Sequence, residues 1–312
     1  MSEPAHARPR PIDVLSIGET MALVVPARAE TLESADDFRL EAGGAESNLA
    51  CHLAAAGLRA RWFSALGDDA LGRRIRRRIE SHGVSTDGLI IDRDAPTGLY
   101  VKDPGHGVQY YRAGSAASRL SPAALDGIDW TSVDTVHLTG ITLALSPTCR
   151  DLVHAAIDAA REHDVRVSFD VNHRPALWAD DATAARAIAE AAARSDAVFV
   201  GRDEAERLWG TQTAADVRSL LPDVPHLVVK DADIEATEFG PAGTVSVPAR
   251  RVEVVEAVGA GDAFAAGWLG ELIRGGDARR RLDTGHASAA RALAGTSDVP
   301  QPDPSPSSRG RE

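Results

Sequence analysis

The second half of the chain alternates between short apolar segments and longer segments that are typical of helices. The apolar segments, which we predict to be buried strands, are 133–138, 165–169, 197–200 and 226–229. Helices are expected between them, over 148–163, over 182–192 and from Glu204 onwards. Strands that alternate with helices form a parallel sheet with helices on both of its faces. This pattern therefore predicts an α/β fold.

The rest of the chain extends the pattern. Further strands are expected over 12–17 and 61–66, with a late hairpin over 236–239 and 244–247. Further helices are expected over 46–56, 70–81 and 279–293 and directly after Asp262. The helix after Asp262 is predicted to be amphipathic, with one apolar face formed by Phe264, Trp268, Leu269, Leu272 and Ile273.

A second, smaller sheet is predicted in the first half of the chain. Segments 98–102 and 108–111 have β-forming residues on either side of a turn, Pro104-Gly105-His106-Gly107. Segment 21–25 alternates like a half-exposed strand. A hairpin with a polar face does not bury itself within an α/β core, so we expect these strands to project as a small lid sheet.

Composition limits the class of protein. The net charge of −12 argues against a general nucleic-acid or anionic-membrane binder. Two cysteines indicate no disulfide framework, and no apolar signal or membrane-spanning run is present, so a soluble cytoplasmic protein is expected. At 312 residues the chain could form one large α/β domain or two modest ones, and we predict one domain over 12–296, with its lid at about 19–42 and 97–113. Residues 1–11 and the Pro/Ser-rich 297–312 are expected to be disordered tails.

The segment Val258-Gly259-Ala260-Gly261-Asp262 combines uncovered backbone amides with a carboxylate at the start of a helix. The first amides of a helix have no intrahelical partner, and the helix dipole favours negative charge there. A carboxylate in such an anion site suggests chemistry. Asp262 would accept a proton from a hydroxyl group while the amides of residues 259–262 hold a phosphate. The simpler interpretation is that Asp262 only complements the helix dipole.

Charged groups follow three of the predicted strands. They lie in Asp170-Val171-Asn172-His173-Arg174, in Gly201-Arg202-Asp203-Glu204 and at Lys230-Asp231. Ligands of open α/β sheets bind beyond the carboxyl ends of the strands. We therefore expect these groups to share one edge of the sheet with the Asp262 loop.

Two motifs resemble a known family. Gly259-Ala260-Gly261-Asp262 is similar to the signature of the ribokinase-like (PfkB) carbohydrate kinases, and Gly43-Gly44-Ala45-Glu46-Ser47-Asn48 is similar to a second element of that family. Within the family, Gly43–Glu46, Tyr110–Ser118 and Asp170–Pro175 look like the corresponding segments of 2-keto-3-deoxygluconate kinases. The resemblance implies a three-layer α/β/α fold with a mostly parallel central sheet and a small β-sheet lid.

The resemblance also implies the activity, which is ATP-dependent phosphorylation of a sugar acid with Asp262 as general base. It implies ATP and Mg2+ as cofactors and admits a monovalent cation, K+. The nucleotide is expected at Lys230, Gly259, Gly261 and His286, and Mg2+ near Glu204 through water. A homodimer formed through the lid is expected, with no nucleic-acid or membrane partner. The residues implied for the sugar are Gly43, Gly44, Asn48, Tyr100, Tyr110, Arg112 and Arg174.

Two arginines carry the argument for substrate choice. A 2-keto acid presents a carboxylate, which the planar guanidinium group grips through paired donors, whereas a neutral hexose needs no cation. Arg112 lies on the predicted lid and Arg174 at the edge of the predicted sheet. Gluconate- and galactonate-derived keto acids differ at one hydroxyl group, and the sequence does not distinguish them.

Two alternatives stay open, and departures from the family pattern motivate the second of them. The chain has Glu256-Ala257 where Asp-Thr is usual, Ala232 and Glu235 where glycines are usual, and Gly201 where Asn is common. These changes suggest weaker or altered ATP or cation binding. One alternative is a fructokinase or another neutral-sugar kinase of the family. The other is a sugar-acid binding protein that has lost catalysis.

Overall fold

The fold was analysed in a computed structural model, which describes residues 11–28, 30–254, 258–295 and 298–300. The described strands are β1 Ile12–Ile17, β2 Met21–Pro26, β3 Phe38–Gly43, β4 Ala60–Phe63, β5 Ala65–Gly67, β6 Ile90–Asp92, β7 Leu99–Asp103, β8 Gly107–Tyr111, β9 Val133–Thr139, β10 Arg166–Asp170, β11 Ala197–Gly201, β12 His226–Asp231, β13 Glu235–Gly240 and β14 Gly243–Pro248. The described α-helices are α1 Ala45–Ala55, α2 Ala70–Ser81, α3 Gly140–Ala144, α4 Pro147–Glu162, α5 Asp181–Ala193, α6 Arg202–Trp209, α7 Ala214–Leu220, α8 Ala260–Ile273 and α9 Ala278–Leu293.

The main sheet has eight strands in the order β14-β13-β12-β11-β10-β9-β1-β4. All pairs from β12 to β4 are parallel, and β13 and β14 add an antiparallel edge. Successive side chains of a strand point to opposite faces, so each face has its own core. On β11, for example, Val198 packs with α4 and α5, whereas Phe199 packs with Trp268 of α8. The predicted α/β architecture with a mostly parallel sheet is confirmed.

A separate sheet in the order β3-β2-β7-β8 forms the small second layer. Strands β7 and β8 form the predicted hairpin, and β2 pairs with β7 in parallel. This four-strand sheet is called the lid below. Strand β3, which pairs with β2, was not predicted. Its sequence mixes charged and apolar residues, so that no clear alternation marks it.

Two sequence predictions were wrong in detail. Segment 61–66 is two strands, β4 and β5, which lie in different sheets and are separated by the buried Ser64. Helix α8 is not a simple amphipathic helix, because Ala263, Ala265 and Ala266 are buried together with Phe264 and Trp268. Small side chains let α9 pack closely against α8, so most of its circumference is covered. In the described part of the chain, no helix is long and apolar enough to cross a membrane.

Candidate active site

A cavity of about 660 Å³ lies between the lid and the carboxyl ends of the parallel strands. Its walls come from the ends of β10, β11 and β12, the first turns of α1 and α8, and the inner side of the lid. The chemical groups that line it include Glu19, Gly43, Gly44, Asn48, Tyr100, Lys102, Tyr110, Arg112, Asp170, Asn172, His173, Arg174, Gly201, Asp203, Glu204, Arg207, Lys230, Gly259, Gly261, Asp262 and Asp298. The structure therefore brings the three strand-end groups together with Asp262, as the sequence predicted.

The N-terminus of α8 opens onto this cavity and has the features of an anion site. Gly259 begins the helix with φ of 81°, in the left-handed region that favours glycine, and no side chain caps this end of the helix. A Cβ atom on Gly261 would lie 3.7 Å from Nζ of Lys230, so the ammonium group stands directly over this turn. Uncapped amides, the helix dipole and a lysine thus converge where an anion would bind.

Asp262 does not cap its own helix but faces α1. Nδ2 of Asn48 donates to Oδ2 of Asp262 at 2.9 Å, although the two residues are 214 positions apart. Asn48 is buried in the first turns of α1, directly after Gly44, which precedes the helix. This hydrogen bond therefore joins the two motifs recognised in the sequence and orients the carboxylate.

Burial raises the pKa of Asp262 to about 7, and the nearby Asp170 adds to this shift. The hydrogen bond from Asn48 and the charges of Lys230 and Arg174 act in the opposite direction. A general base works best when its pKa lies near the operating pH. The environment of Asp262 therefore suits proton transfer near neutral pH.

Lys230 and Glu204 share a buried group of charges with Asp170. Nζ of Lys230 lies 3.3 Å from Oδ2 of Asp170. Burial alone would lower the pKa of Lys230, but the carboxylates of Asp170 and Glu204 raise it. Lys230 therefore stays charged at the end of β12.

Glu204 is held by the backbone. Its Oε1 accepts from the amide of His173 at 2.9 Å, and its Oε2 accepts from the amide of Gly201 at 2.8 Å. Burial, together with Asp170, raises its pKa. A Cβ atom at position 201 would lie 3.1 Å from Oε2 of Glu204, so glycine in place of the usual Asn leaves room for this carboxylate.

The donor set around Glu204 is compatible with Mg2+. In residues 11–28, 30–254, 258–295 and 298–300, no group of three or more His, Cys, Asp or Glu residues is arranged to hold a metal ion. Mg2+ keeps several of its waters and binds through one or two carboxylates together with substrate phosphates. Glu204 and Asp170, on the lysine side of the cavity, provide such carboxylates.

The side of the cavity formed by the lid and α1 is closely packed. A Cβ atom on Gly43 would lie 2.1 Å from Oη of Tyr100, and one on Gly44 would lie 2.3 Å from the carbonyl oxygen of Glu19. Both glycines are therefore needed to let the lid approach α1. The rings of Tyr100 and Tyr110 stack with centroids 5.7 Å apart, and Tyr110 remains half-exposed. These rings form one wall of the cavity.

The two arginines differ in their surroundings. Nε of Arg112 donates to Oε2 of Glu19 at 2.7 Å, and Nη2 lies 2.5 Å from the same oxygen in an ion pair, so this guanidinium group is already paired. Arg174 is exposed, and its Nη1 donates to the carbonyl oxygen of His173 at 3.1 Å. Its charge lowers the pKa of both Asp262 and Glu204, which places it within electrostatic reach of the anion site.

Comparison with known proteins identifies the family. The family model described as pfkB family carbohydrate kinase matches residues 12–303. The chain belongs to this family. It is 32% identical to the 2-dehydro-3-deoxygluconokinase of Bacillus subtilis (strain 168), over 92% of this chain and 91% of that protein. It is 34% identical to the 2-dehydro-3-deoxygluconokinase of Thermoproteus tenax, over 92% of this chain and 89% of that protein.

A solved structure supports the fold. The chain is similar to a PfkB protein from Polaromonas sp. JS666, with a TM-score of 0.85 and 34% identity, covering 91% of this chain and 96% of that one. As a pfkB family member, the protein is a carbohydrate kinase and thus a phosphotransferase.

Some residues expected at the site lie elsewhere. His286 is buried behind α8, where its Nε2 bonds to the carbonyl oxygen of Val247 at 3.0 Å and its ring contacts Phe264, so the structure does not bring it to the cavity. Glu235 pairs with Asp231 in the β12–β13 hairpin and does not line the cavity either. Ala232 stands at the turn of that hairpin with φ of 44°, where a family glycine would be unstrained. Glu256 and Ala257 lie outside the described residues.

Sequence reasoning missed two acidic residues of the cavity. Glu19, which pairs with Arg112, follows the first strand without any motif of its own. Asp298 lies in the segment that was predicted to be a disordered tail, yet its carbonyl oxygen bonds to Nε2 of His52 at 3.0 Å. Its Cβ lies 3.0 Å from where a Cβ on Gly259 would be. Asp298 carries no local sequence pattern of its own, and the prolines around it are typical of an unstructured segment.

Proposed function

We propose that this carbohydrate kinase transfers the γ-phosphoryl group of ATP to the terminal hydroxyl group of 2-keto-3-deoxygluconate, giving the 6-phosphate. The observation that carries the proposal is the placement of Asp262, a carboxylate with a pKa of about 7, beside the uncapped N-terminus of α8. The similarity to two 2-dehydro-3-deoxygluconokinases over about nine tenths of the chain supports this substrate.

In this mechanism Asp262 accepts the proton of the attacking hydroxyl group. The sugar oxygen forms a bond to the γ-phosphorus while the bond from that phosphorus to the β–γ bridging oxygen breaks, releasing ADP. The amides of Ala260, Gly261 and Asp262 stabilise the charge on the transferring phosphoryl group, and the ammonium of Lys230 adds to it. Phosphoryl transfer needs little beyond such positioning and electrostatic stabilisation.

The same side of the cavity would hold the nucleotide and its metal. Gly259, Gly261 and Lys230 face the phosphates, whereas His286 would act only indirectly, through its contact with Phe264 of α8. Mg2+ would be held near Glu204 through water, and when bound it supplies positive charge that neutralises the phosphate oxygens. A monovalent cation such as K+ would depend on residues next to Glu256, beyond the described part of the chain.

Sugar recognition falls to the lid and to α1. Gly43, Gly44 and Asn48 would contact the sugar hydroxyl groups, with Tyr100 and Tyr110 as further donors. Arg174 and Arg112 would bind the carboxylate, and Arg174 supplies most of the net positive charge, since Arg112 shares its charge with Glu19. Asp298, next to Gly259, is a further acceptor for sugar hydroxyl groups.

Assembly and location are part of the proposal. All five residues of β8 are exposed, and this strand is an unpaired edge of the lid. Exposed edges with apolar side chains favour pairing with another chain. Phe38, Val108 and Tyr111 lie exposed on the lid, so a homodimer formed through two lids would cover them, in a cytoplasmic enzyme. Sedimentation as a monomer at micromolar concentration would contradict this assembly.

A coupled ADP-release assay tests the function. Purified protein with ATP and Mg2+ is offered 2-keto-3-deoxygluconate, 2-keto-3-deoxygalactonate, fructose and ribose, and kcat/KM is compared. We expect the keto acids to be phosphorylated with the highest kcat/KM. Higher kcat/KM for fructose would favour the neutral-sugar kinase. Saturable binding of a keto acid by calorimetry, without ADP release or ATP binding, would favour a binding protein.

A further inference from the structure

The carboxylate of Glu19 lies at the root of the lid and is buried there. It is 2% exposed and lies in the connection between β1 and β2, where the chain leaves the main sheet and enters the lid. Three donors converge on it. Nε and Nη2 of Arg112 both reach Oε2, and Oγ of Ser115 reaches Oε1 at 2.5 Å. A buried carboxylate is therefore fully engaged by the segment that follows β8.

The ion pair with Glu19 leaves one edge of the Arg112 guanidinium group available to bind a carboxylate. Glu19 occupies the edge of the guanidinium group formed by Nε and Nη2. Among the residues that the structure describes, Nη1 of Arg112 has no hydrogen-bond partner. A guanidinium group has a second edge, formed by Nη1 and the outer hydrogen of Nη2, which matches a carboxylate in the same paired way. The occupied edge thus fixes the direction in which the second edge points.

The surroundings restrict Glu19 to this position. A Cβ atom on Gly98, the residue before β7, would lie 2.7 Å from Oε1 of Glu19 and 2.8 Å from Cγ of Met21. The carboxylate therefore fills the space where the first residue of the lid hairpin leaves the core. Cζ of Arg112 lies 5.7 Å from the centroid of the Tyr110 ring, so the guanidinium group contacts both this ring and the carboxylate of Glu19.

We propose that Glu19 is a positioning residue that holds Arg112 with its second edge turned to the cavity, so that a substrate carboxylate is bound in a fixed orientation. Glu19 acts through Arg112 and does not touch the substrate carboxylate itself. The inference rests on the proposed function, because it assigns how that site recognises an acid. It also implies that Glu19 sets substrate choice, since a neutral sugar has no carboxylate for this edge to bind.

The test compares Glu19→Ala with Glu19→Gln. The alanine removes the acceptor that orients Arg112, whereas glutamine keeps an oxygen acceptor and loses only the charge. We expect Glu19→Ala to raise KM for 2-keto-3-deoxygluconate about tenfold or more, which corresponds to the loss of one charge-assisted contact. KM for a neutral sugar should change less than about twofold, and Glu19→Gln should recover most of the lost affinity. Asp103→Asn, which alters another lid carboxylate that bonds to the amide of Leu32, is the matched control.

Several outcomes would overturn the proposal. Equal increases in KM for the acid and the neutral sugar would mean that Glu19 only stabilises the lid. Lower KM for the acid in Glu19→Gln than in wild type would mean that its charge repels the substrate and that Arg112 needs no positioning. If Glu19→Ala does not fold, Ser115→Ala removes one hydrogen bond to the same carboxylate. A rise in KM for the acid alone in Ser115→Ala is again the supporting result, and an unchanged KM for the acid would overturn the proposal.

The two proposals fail in different ways. If the proposed function is wrong, wild-type protein shows no preference for keto acids before any variant is made. If only the positioning role is wrong, wild type prefers keto acids, but the effects of the Glu19 and Arg112 substitutions on KM for the keto acid are additive. We expect instead that Glu19→Ala adds little, less than about twofold, in an Arg112→Gln background, because contacts within one network are not additive.

Discussion

The hydrogen bond from Asn48 to Asp262 should set the pH at which the enzyme becomes active. The variant Asn48→Leu keeps a side chain of similar size but removes the donor. The bond joins Nδ2 to a carboxylate at 2.9 Å and is one of the factors that hold the pKa of Asp262 down to about 7. Its loss should therefore raise the pKa of Asp262.

The size of the shift follows from the strength of the bond. A hydrogen bond to a charged group contributes about 1.5–3 kcal/mol, and one pKa unit corresponds to about 1.36 kcal/mol, so the pKa should rise by about one to two units. At pH 7 the fraction of ionised Asp262 would fall from about one half to between about a tenth and a hundredth, and kcat/KM would fall by about 5- to 50-fold. At a pH well above the new pKa, Asp262 is ionised in the variant too, so the fall in kcat/KM that comes from its protonation should disappear.

The assay is the pH profile of kcat/KM, which reports the ionisation of the free enzyme. We expect the acid limb of the profile to move to higher pH in Asn48→Leu. Ser47→Ala is the matched control, since Ser47 lies in the same turn of α1 and its Oγ bonds to the carbonyl oxygen of Gly44 at 3.0 Å. An acid limb that stays in place while kcat/KM falls equally at every pH would refute the reasoning and assign Asn48 to sugar binding alone.

Three further predictions concern the same cavity. Asp262→Asn should lower kcat by about 10²–10⁴-fold. Burial raises the folded-state pKa of Asp262, so ionisation of Asp262 destabilises the fold. The variant should therefore melt at a higher temperature than wild type above pH 7 and at the same temperature as wild type below about pH 4. Equal melting temperatures at pH 8 would contradict this. Arg174→Gln should raise KM for the keto acid about tenfold and leave fructose turnover unchanged in the same assay, and equal losses would assign Arg174 to ATP. Lys230→Arg should weaken ATP binding, measured by calorimetry, about tenfold or more, since a planar guanidinium group does not replace a compact ammonium group next to Gly261 and Asp170; wild-type ATP affinity would exclude that role.

The bounds of a helix were predictable where a local sequence signal marks each of its ends. Helix α2 has the predicted bounds, because Asp69 caps it and Ile75 and Ile79 recur at helical spacing on its buried face. The parallel pairing of β2 with β7 was only partly foreseen. It joins segments about 75 positions apart, and local alternation says nothing about which distant strand is the neighbour.

The site was predictable at the level of residues but not of contacts. Motifs identified both Asn48 and Asp262, yet the sequence assigned Asn48 to the sugar, and the bond between them depends on how α1 and α8 converge. Arg112 was expected to bind a substrate carboxylate from the lid, and its ion pair with Glu19 had no signal in the sequence. The partners of Asp262 and Arg112 come from segments far apart in the sequence, and only the tertiary packing of these segments determines which side chains meet.

The distribution of lysine gives a further physical reason for the placement of the site. Only two of the 34 basic residues in the chain are lysines, Lys102 and Lys230, and both line the cavity. The other basic residues are arginines, including Arg112 and Arg174 at the cavity, and their planar, weakly hydrated fork suits pairing and stacking. A compact ammonium group fits where positive charge must stand close to backbone amides, as Lys230 does above the first turn of α8. In a chain with a net charge of −12, cations so placed let two anionic substrates enter one cavity, while burial, with a smaller contribution from Asp170, raises the pKa of Asp262 to about 7.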